Sequence, residues 1–246
     1  MLPSKMRHDI GFSIITATKR KHCVSQVIEN YKRQTYPNKE LIIIINNDNM
    51  SVDDFAEACK EDPNIAVYQL PEDVTTGECL NYGCARAKNT YLAKFDDDDY
   101  YGKYYLQEVK DTFEATSADI VCKRGIFYYL EKEEELIVRF RMTRQCKKVI
   151  GGAGSTLCFP RELFQEIQFS ELKRASDSDF IRKCKEKDKN IYTSTSYNFC
   201  SIRSKDLEQH TWNISNEELK EKADKNFGAK HMTKEGMYSF IERYPV

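Results

Sequence analysis

Tyr91-Leu92-Ala93-Lys94-Phe95-Asp96-Asp97-Asp98-Asp99-Tyr100-Tyr101 is the stretch around which the chain is organised. The apolar and aromatic residues from Tyr91 to Phe95 read as a short buried strand. Four carboxylates then arrive where that strand must end. At neutral pH they repel one another, and each resists leaving water. The run is tolerable if it is fully solvated or if something positive sits among it. Hard oxygen donors at a strand end suit magnesium or manganese. Acidic runs are ordinarily solvated surface, but Phe95 on one side and Tyr100-Tyr101 on the other are poor company for a solvated tail.

Working outward, the chain of 246 residues suits a single large domain, 1–246, built of two intimate halves. A net charge of -1 supplies no global field toward nucleic acid or an anionic membrane. Nine cysteines form no CxxC pair, and their odd number without a secretory leader points to a reducing, cytoplasmic compartment rather than a disulfide framework. Leu41–Ile45, the longest apolar run, is far too short to cross a bilayer. A soluble or at most peripheral protein is expected.

Upstream of the acidic run, 1–9 is a loose lead-in and Gly11–Ala17 a β-branched strand. Val24, Val27, Ile28 and Tyr31 fall at helical spacing before Pro37. Leu41–Ile45 shows no alternation, as expected of a strand covered on both faces. Ser51 and Asp54 resemble a capping box for a helix to about Cys59. Ile65–Leu70 reads as a strand and Gly77–Ala87 as a helix. Strand and helix thus alternate up to Phe95, which predicts a mainly parallel sheet with helices on both faces. Downstream, a helix is expected at Tyr104–Phe113, a strand at Asp119–Lys123 and a hairpin from Ile126–Leu130 and Leu136–Phe140. Gly151–Gly154 is a lid or a plain flexible loop before a strand at Ser155–Phe159, and Pro160 opens a helix. A helix at Asp177–Lys185, strands at Ile191–Thr195 and Tyr197–Ile202, a last helix from Ser215 and a tail complete the reading.

Ligands of open parallel sheets bind beyond the carboxyl ends of the strands. Three strand ends here deliver polar residues: Thr16 to Arg20, Asn46 to Asn49, and Asp96 to Asp99. Hydroxyls and amides at the first two can recognise a base and ribose, and carboxylates at the third can hold a metal bridging a diphosphate. Polar residues often terminate strands, which accounts for each end alone but not for four acids at one of them.

The segments SIITATKR (13–20), RQTYPNKELIIIINND (33–48), GECLNYGCARAKNTYLAKFDDDDYY (77–101) and SDSDF (176–180) resemble family 2 glycosyltransferases of the GT-A fold. AKFDDDDYYG (93–102) with HTW (210–212) is especially similar to bacterial enzymes of spore-surface and cell-wall polysaccharide synthesis. The resemblance covers roughly 10–212. It implies an α/β, Rossmann-like, mainly parallel sheet flanked by helices, with a nucleotide-sugar half (10–100), a smaller mixed acceptor half (101–212) and a C-terminal helix and tail (213–246). It also implies roles. Thr16, Thr18 and Arg20 lie at the first strand end facing the nucleotide. Asn46 and Asn47 stand where acids usually read uracil; they can still hydrogen-bond a base edge but carry no charge. In the DxD motif, Asp96 or Asp97 meets the ribose and Asp98 the metal, Mn2+ or Mg2+, with His210 returning to it from the C-terminal side. Asp177 aligns with the catalytic base, Asp179 being the fallback; Ser176 or Asp177 as a mere helix cap is the plain alternative. Trp212 stacks on a sugar or belongs to the core.

The expected activity is inverting, metal-dependent hexosyl transfer from a nucleotide-diphosphate sugar, UDP-linked by preference, to a hydroxyl of a saccharide or glycoconjugate acceptor of the bacterial surface. A catalytically weak nucleotide-sugar-binding module within a larger assembly is the rival, favoured by Ser176 and the two asparagines. A nucleotidyltransferase is weaker, because no glycine-rich phosphate loop follows the first strand.

Overall fold

The computed structural model describes residues 10–204, 214–224 and 227–244. In chain order the first half holds β1 (Phe12–Thr18), α1 (Val24–Arg33), β2 (Lys39–Ile45), α2 (Ala56–Glu61), β3 (Ile65–Gln69), α3 (Thr76–Arg86) and β4 (Tyr91–Lys94). The second half holds β5 (Tyr100–Tyr101), α4 (Tyr105–Ala115), β6 (Ile120–Cys122), β7 (Ile126–Leu130), β8 (Glu135–Arg139), β9 (Lys147–Lys148) and β10 (Cys158–Pro160). After these come α5 (Arg161–Glu166), α6 (Ser176–Glu186), β11 (Ile191–Thr193), β12 (Phe199–Arg203), α7 (Asn216–Glu221) and α8 (Lys234–Ile241).

The large sheet runs β3-β2-β1-β4-β10-β6-β11-β9, and its first four strands are parallel as the alternation predicts. β10 then enters antiparallel to both β4 and β6, which makes the whole sheet mixed. β2 shows why no alternation was visible in its sequence. Leu41, Ile43 and Ile45 join the core on one face, with Val27, Tyr31 and Phe55. Ile42 and Ile44 join the other, with Leu80, Cys84 and Phe180. Each such buried side chain contributes about 1.5–3 kcal/mol, so both faces must be covered. Ser51 makes the expected capping box with Asp54, and Thr75 makes a second with Glu78 at the start of α3.

A smaller sheet, β5-β12-β7-β8, contains the expected hairpin, with Ile126 opposite Arg139. Asp96–Asp99 is the crossing between the sheets: β4 ends in one, and β5 begins the other. A fully buried ion pair ties the second half of the chain together. Lys123 Nζ lies 3.0 Å from Glu108 Oε2 and donates also to Ser194 Oγ and the Thr195 carbonyl.

Three expectations change. The loop before β10 continues as a single 3-10 turn, Gly154–Thr156, so the strand is shorter than expected. Pro160 sits at the cap of α5 rather than inside it. The stretch read as a tail contains α8, whose Met237 and Ile241 are buried against the small sheet while Tyr238 stacks on Tyr100 at 4.0 Å. Its apolar spacing is short and surrounded by charge, which hides it in the sequence. Among the described residues no helix is long and apolar enough to cross a membrane.

Candidate functional site

The acids at the end of β4 are compensated largely by the chain itself. Asp97 is buried, and its carboxylate is gripped on both oxygens by Arg20, with the Thr18 hydroxyl donating to it at 2.6 Å. The second arm of the same guanidinium reaches Asp98 Oδ2 at 2.9 Å. Burial works against a charged Arg20, but Asp97 and then Asp98 overrule it and hold its pKa above the ordinary value. Fork geometry explains why arginine can brace two neighbouring carboxylates at once.

Lys94 supplies the second cation. It is 5% exposed at the last position of β4, and its ammonium binds Asp96 Oδ1 and lies 3.3 Å from Asp177 Oδ2. Burial disfavours the charged amine, yet Asp177 and Asp96 together raise its pKa. Asp96 is pushed up to about 6 by burial, against the pull of Lys94 and with the help of Asp177 and Asp98. Its amide donates to the Tyr101 hydroxyl at 2.8 Å, and that hydroxyl donates to the Ser155 carbonyl at 2.6 Å. Phe95 stacks on Tyr101 with centroids 3.7 Å apart. The aromatic flanks therefore fix the backbone of the acidic run.

Asp99, which had no role in the sequence reading, ties the acidic run to β12 and α1. Its side chain accepts from the Ile202 amide at 3.3 Å, and its carbonyl accepts from Gln26 at 3.0 Å and Asn30 at 2.8 Å. Burial, then Asp98 and Asp96, hold its carboxyl well above the usual range.

Asp177 stands in the first turn of α6, where the helix dipole favours a carboxylate. The cap of α6 is Ala175, in a left-handed conformation and without a side-chain capping bond. Capping is thus not what Asp177 or Ser176 does. One Asp177 oxygen faces Lys94, while Oδ1 is buried without a hydrogen-bond partner. Gly154 packs directly on it: a Cβ there would come within 2.4 Å of the carboxylate. Asp179 is differently placed. Ser170 and then Arg182 bind it, lowering its pKa to about 2, and Lys183 closes the cluster at 3.2 Å. It is a structural anchor with its lone pairs taken.

The other expected residues divide. Thr18 and Arg20 are at the strand end, whereas Thr16 is 1% exposed, two positions back inside β1, and its hydroxyl is closed to a ligand. Asp97, expected with Asp96 as the alternative ribose contacts, is the brace of Arg20. Asn46 donates to the Pro71 carbonyl at 2.6 Å and Asn47 to the Lys19 carbonyl at 2.8 Å, so both amides shape the rim beside β1. His210 and Trp212 lie outside the described residues. Lys94 was missed, although its signal was in the quoted stretch: a lysine in an otherwise apolar strand, directly before the acids.

A cavity of about 300 Å³ opens beside Asp98, lined also by Arg20, His22, Gln26, Ile202 and Lys234. Four carboxylates, Asp96, Asp97, Asp98 and Asp177, pair with the two cations Lys94 and Arg20, and the charge of Arg203 acts on Asp98 and Asp99. With its side chain 26% exposed beside the cavity, Asp98 is a fitting hard-oxygen donor for a divalent ion. Among the described residues no three His, Cys, Asp or Glu side chains form a complete cage. That composition suits an ion held by one or two carboxylates and completed by substrate phosphates.

Comparison with known proteins follows the same lines. The family described as Glycosyl transferase family 2 matches residues 13–167. No curated protein sequence matches the chain. Among solved structures, S. aureus TarS 1-349 superposes with a TM-score of 0.65 at 17% identity, covering 77% of this chain and 59% of that one. The same segment in complex with UDP-GlcNAc gives 0.65 at 16% identity, with 86% and 64% covered. Its complex with UDP gives 0.63 at 16%, with 86% and 63% covered. The chain therefore spans less than two-thirds of the length of these structures, and at such identities the likeness is one of fold.

Proposed function

The chain belongs to glycosyl transferase family 2, and from that premise we propose that it transfers a hexosyl group with inversion from a UDP-sugar to a hydroxyl of a saccharide or glycoconjugate acceptor of the bacterial surface. The observation that carries the reading is the bridge Asp96–Lys94–Asp177, which ties a candidate base on α6 to the DxD strand end. UDP and UDP-GlcNAc complexes of a protein sharing the fold support the choice of donor.

In this mechanism Thr18, Arg20 and the Asn46–Asn47 rim receive the nucleotide, and Asp96 meets the ribose. Asp98, with His210 as the expected second ligand, would hold Mn2+ or Mg2+, which when bound supplies charge neutralisation at the leaving diphosphate. Asp177 takes the proton of the acceptor hydroxyl as its oxygen attacks the anomeric carbon. The bond from that carbon to the diphosphate oxygen breaks, and UDP leaves with the electron pair. Lys94 keeps the base aimed, and the tight seat of Gly154 against it excludes water from one side. Nucleotide sugars and nine unpaired cysteines both fit a reducing cytoplasm.

Nucleotide release from UDP-sugars with manganese, in the presence of saccharide acceptors, tests the proposal. Asp177→Asn is expected to lower kcat by about 10²–10⁴-fold while UDP binding persists. Asp98→Ala is expected to remove the manganese dependence of UDP binding. Tight UDP binding with no transfer to any acceptor, unchanged by Asp177→Asn, would instead establish a binding module.

A further inference from the structure

A second cavity, of about 180 Å³, is walled by Gly152 of the Gly151–Gly154 loop together with Arg124, Ile126, Tyr128, Arg139 and Phe140. Ile126 and Arg139 are directly opposed across the β7–β8 hairpin, and Tyr128 is two positions along β7, so all three belong to one face of the small sheet. Arg124 comes from the turn after β6, and its guanidinium stacks on the Phe140 ring at 4.1 Å. The Arg139 guanidinium lies 5.5 Å from the centre of the same ring. Phe140 is 48% exposed, a large apolar face left at the mouth. The nearby Asp224 carboxylate is occupied by the amides of Phe140, at 3.2 Å, and Arg141, at 2.7 Å.

Two features tie this cavity to the base. Gly152 is pressed on β6 so closely that a Cβ would come within 2.5 Å of the Lys123 carbonyl, and Ala153 donates to that carbonyl at 2.9 Å. Gly154 is pressed on Asp177 in the same way. The loop is therefore pinned at both ends, with the cavity wall at one and the base at the other. Two residues of backbone span at most about 7 Å, roughly one sugar ring plus a substituent.

Charge along the sequence points the same way. From Leu136 to Arg161 the chain carries Arg139, Arg141, Arg144, Lys147, Lys148 and Arg161 and not one acid, in a protein of net charge -1. The basic segment supplies most of β8, all of β9 and the loop that walls this cavity. Paired guanidiniums beside an exposed ring recognise a planar or tetrahedral oxyanion on a molecule with an apolar face.

We propose that this cavity is an acceptor subsite for a saccharide bearing a phosphate or carboxylate, with Arg124 and Arg139 holding the anion and Phe140 the ring, so that a neighbouring hydroxyl is presented to Asp177. The proposal rests on the glycosyl-transfer reading for its use but not for its test. Calorimetry of the full chain with UDP and manganese present is run with glucose 6-phosphate, glucuronate and glucose. At least one anionic sugar is expected to bind about tenfold or more tightly than glucose, and comparing the two identifies phosphate or carboxylate as the anion. Arg124→Gln is expected to bring its affinity down to that of glucose with UDP binding unchanged, and Arg124→Lys to retain part of the preference. Equal binding of all three sugars, no binding of any, or an unchanged preference in Arg124→Gln overturns the proposal. Retention on phosphatidylglycerol vesicles without saccharide discrimination overturns it in favour of a membrane-facing role. Loss of UDP binding alone would count against the donor reading, while the sugar arm still reports on this cavity.

Discussion

Replacing Lys94 with methionine tests the electrostatic design of the site. The substitution keeps most of the buried stem and removes the ammonium that faces Asp96 and Asp177. At 3.3 Å and an effective dielectric of about 20, the attraction to Asp177 alone is about 5 kcal/mol before desolvation. Most of that is offset by the cost of burying the amine. Removing one partner of a buried pair typically costs about 3–5 kcal/mol. The Asp96 and Asp177 side chains keep 36% and 28% exposure, so water screens what is left behind and the lower end applies. We expect Lys94→Met to lose about 3 kcal/mol in urea unfolding. Asp177→Asn should lose about 1 kcal/mol, and the double variant should fall short of the sum by about 1–2 kcal/mol, the coupling between contacting groups. Urea midpoints at constant m-value measure all three. Additivity to within about 0.5 kcal/mol, or a Lys94→Met protein as stable as the parent, would refute Lys94 as the partner of Asp177.

Gly154→Ala drives a methyl into Asp177. A displacement of about 1 Å at the base costs on the order of 10²-fold in kcat, whereas the KM for donor should hold; equal losses in both would show a general folding defect. Asp179, with its pKa lowered to about 2 from 3.8, contributes stability that is present above pH 4 and lost as the pH falls from about 4 to about 2. Asp179→Asn should therefore lose about 1 kcal/mol at neutral pH, discounted because its partner Arg182 is largely exposed, and flatten that acid limb while kcat stays within a few-fold. Thermal melts across pH 2 to 7 check it. Lys123→Met should cost about 3–5 kcal/mol by stranding Glu108 in the core. Replacing Glu108 by leucine in the same protein should recover part of the loss, and no recovery in urea unfolding would mean that the ion pair is not the source.

Much of the first half was legible because its signals are local. Unbroken apolar runs such as Leu41–Ile45 report burial on two faces, and Ser51 with Asp54 reports a helix start within four residues. The position of Asp177 in the first turn of α6 was visible for the same reason. The second half was harder to read. β10 runs antiparallel into the large sheet, and α8 covers the small one; both depend on partners distant in the chain. The burial of Thr16 and the pairing of Asp97 with Arg20 were not legible, because a sequence does not show where the edge of a sheet falls.

Asp96 to Asp99 separates the two kinds of knowledge. Sequence alone determined that this run ends a buried strand and that its charge needs either water or cations around it. Tertiary structure decided what each acid does. It placed the run at the crossing of two sheets, brought Arg20 from β1 to Asp97 and Asp98, hung Asp99 on β12, and set Lys94 between Asp96 and an aspartate some eighty residues downstream. Repulsion between neighbours is a property of the chain. Which neighbour is relieved, and by what, depends on contacts that exist only once the chain has closed on itself.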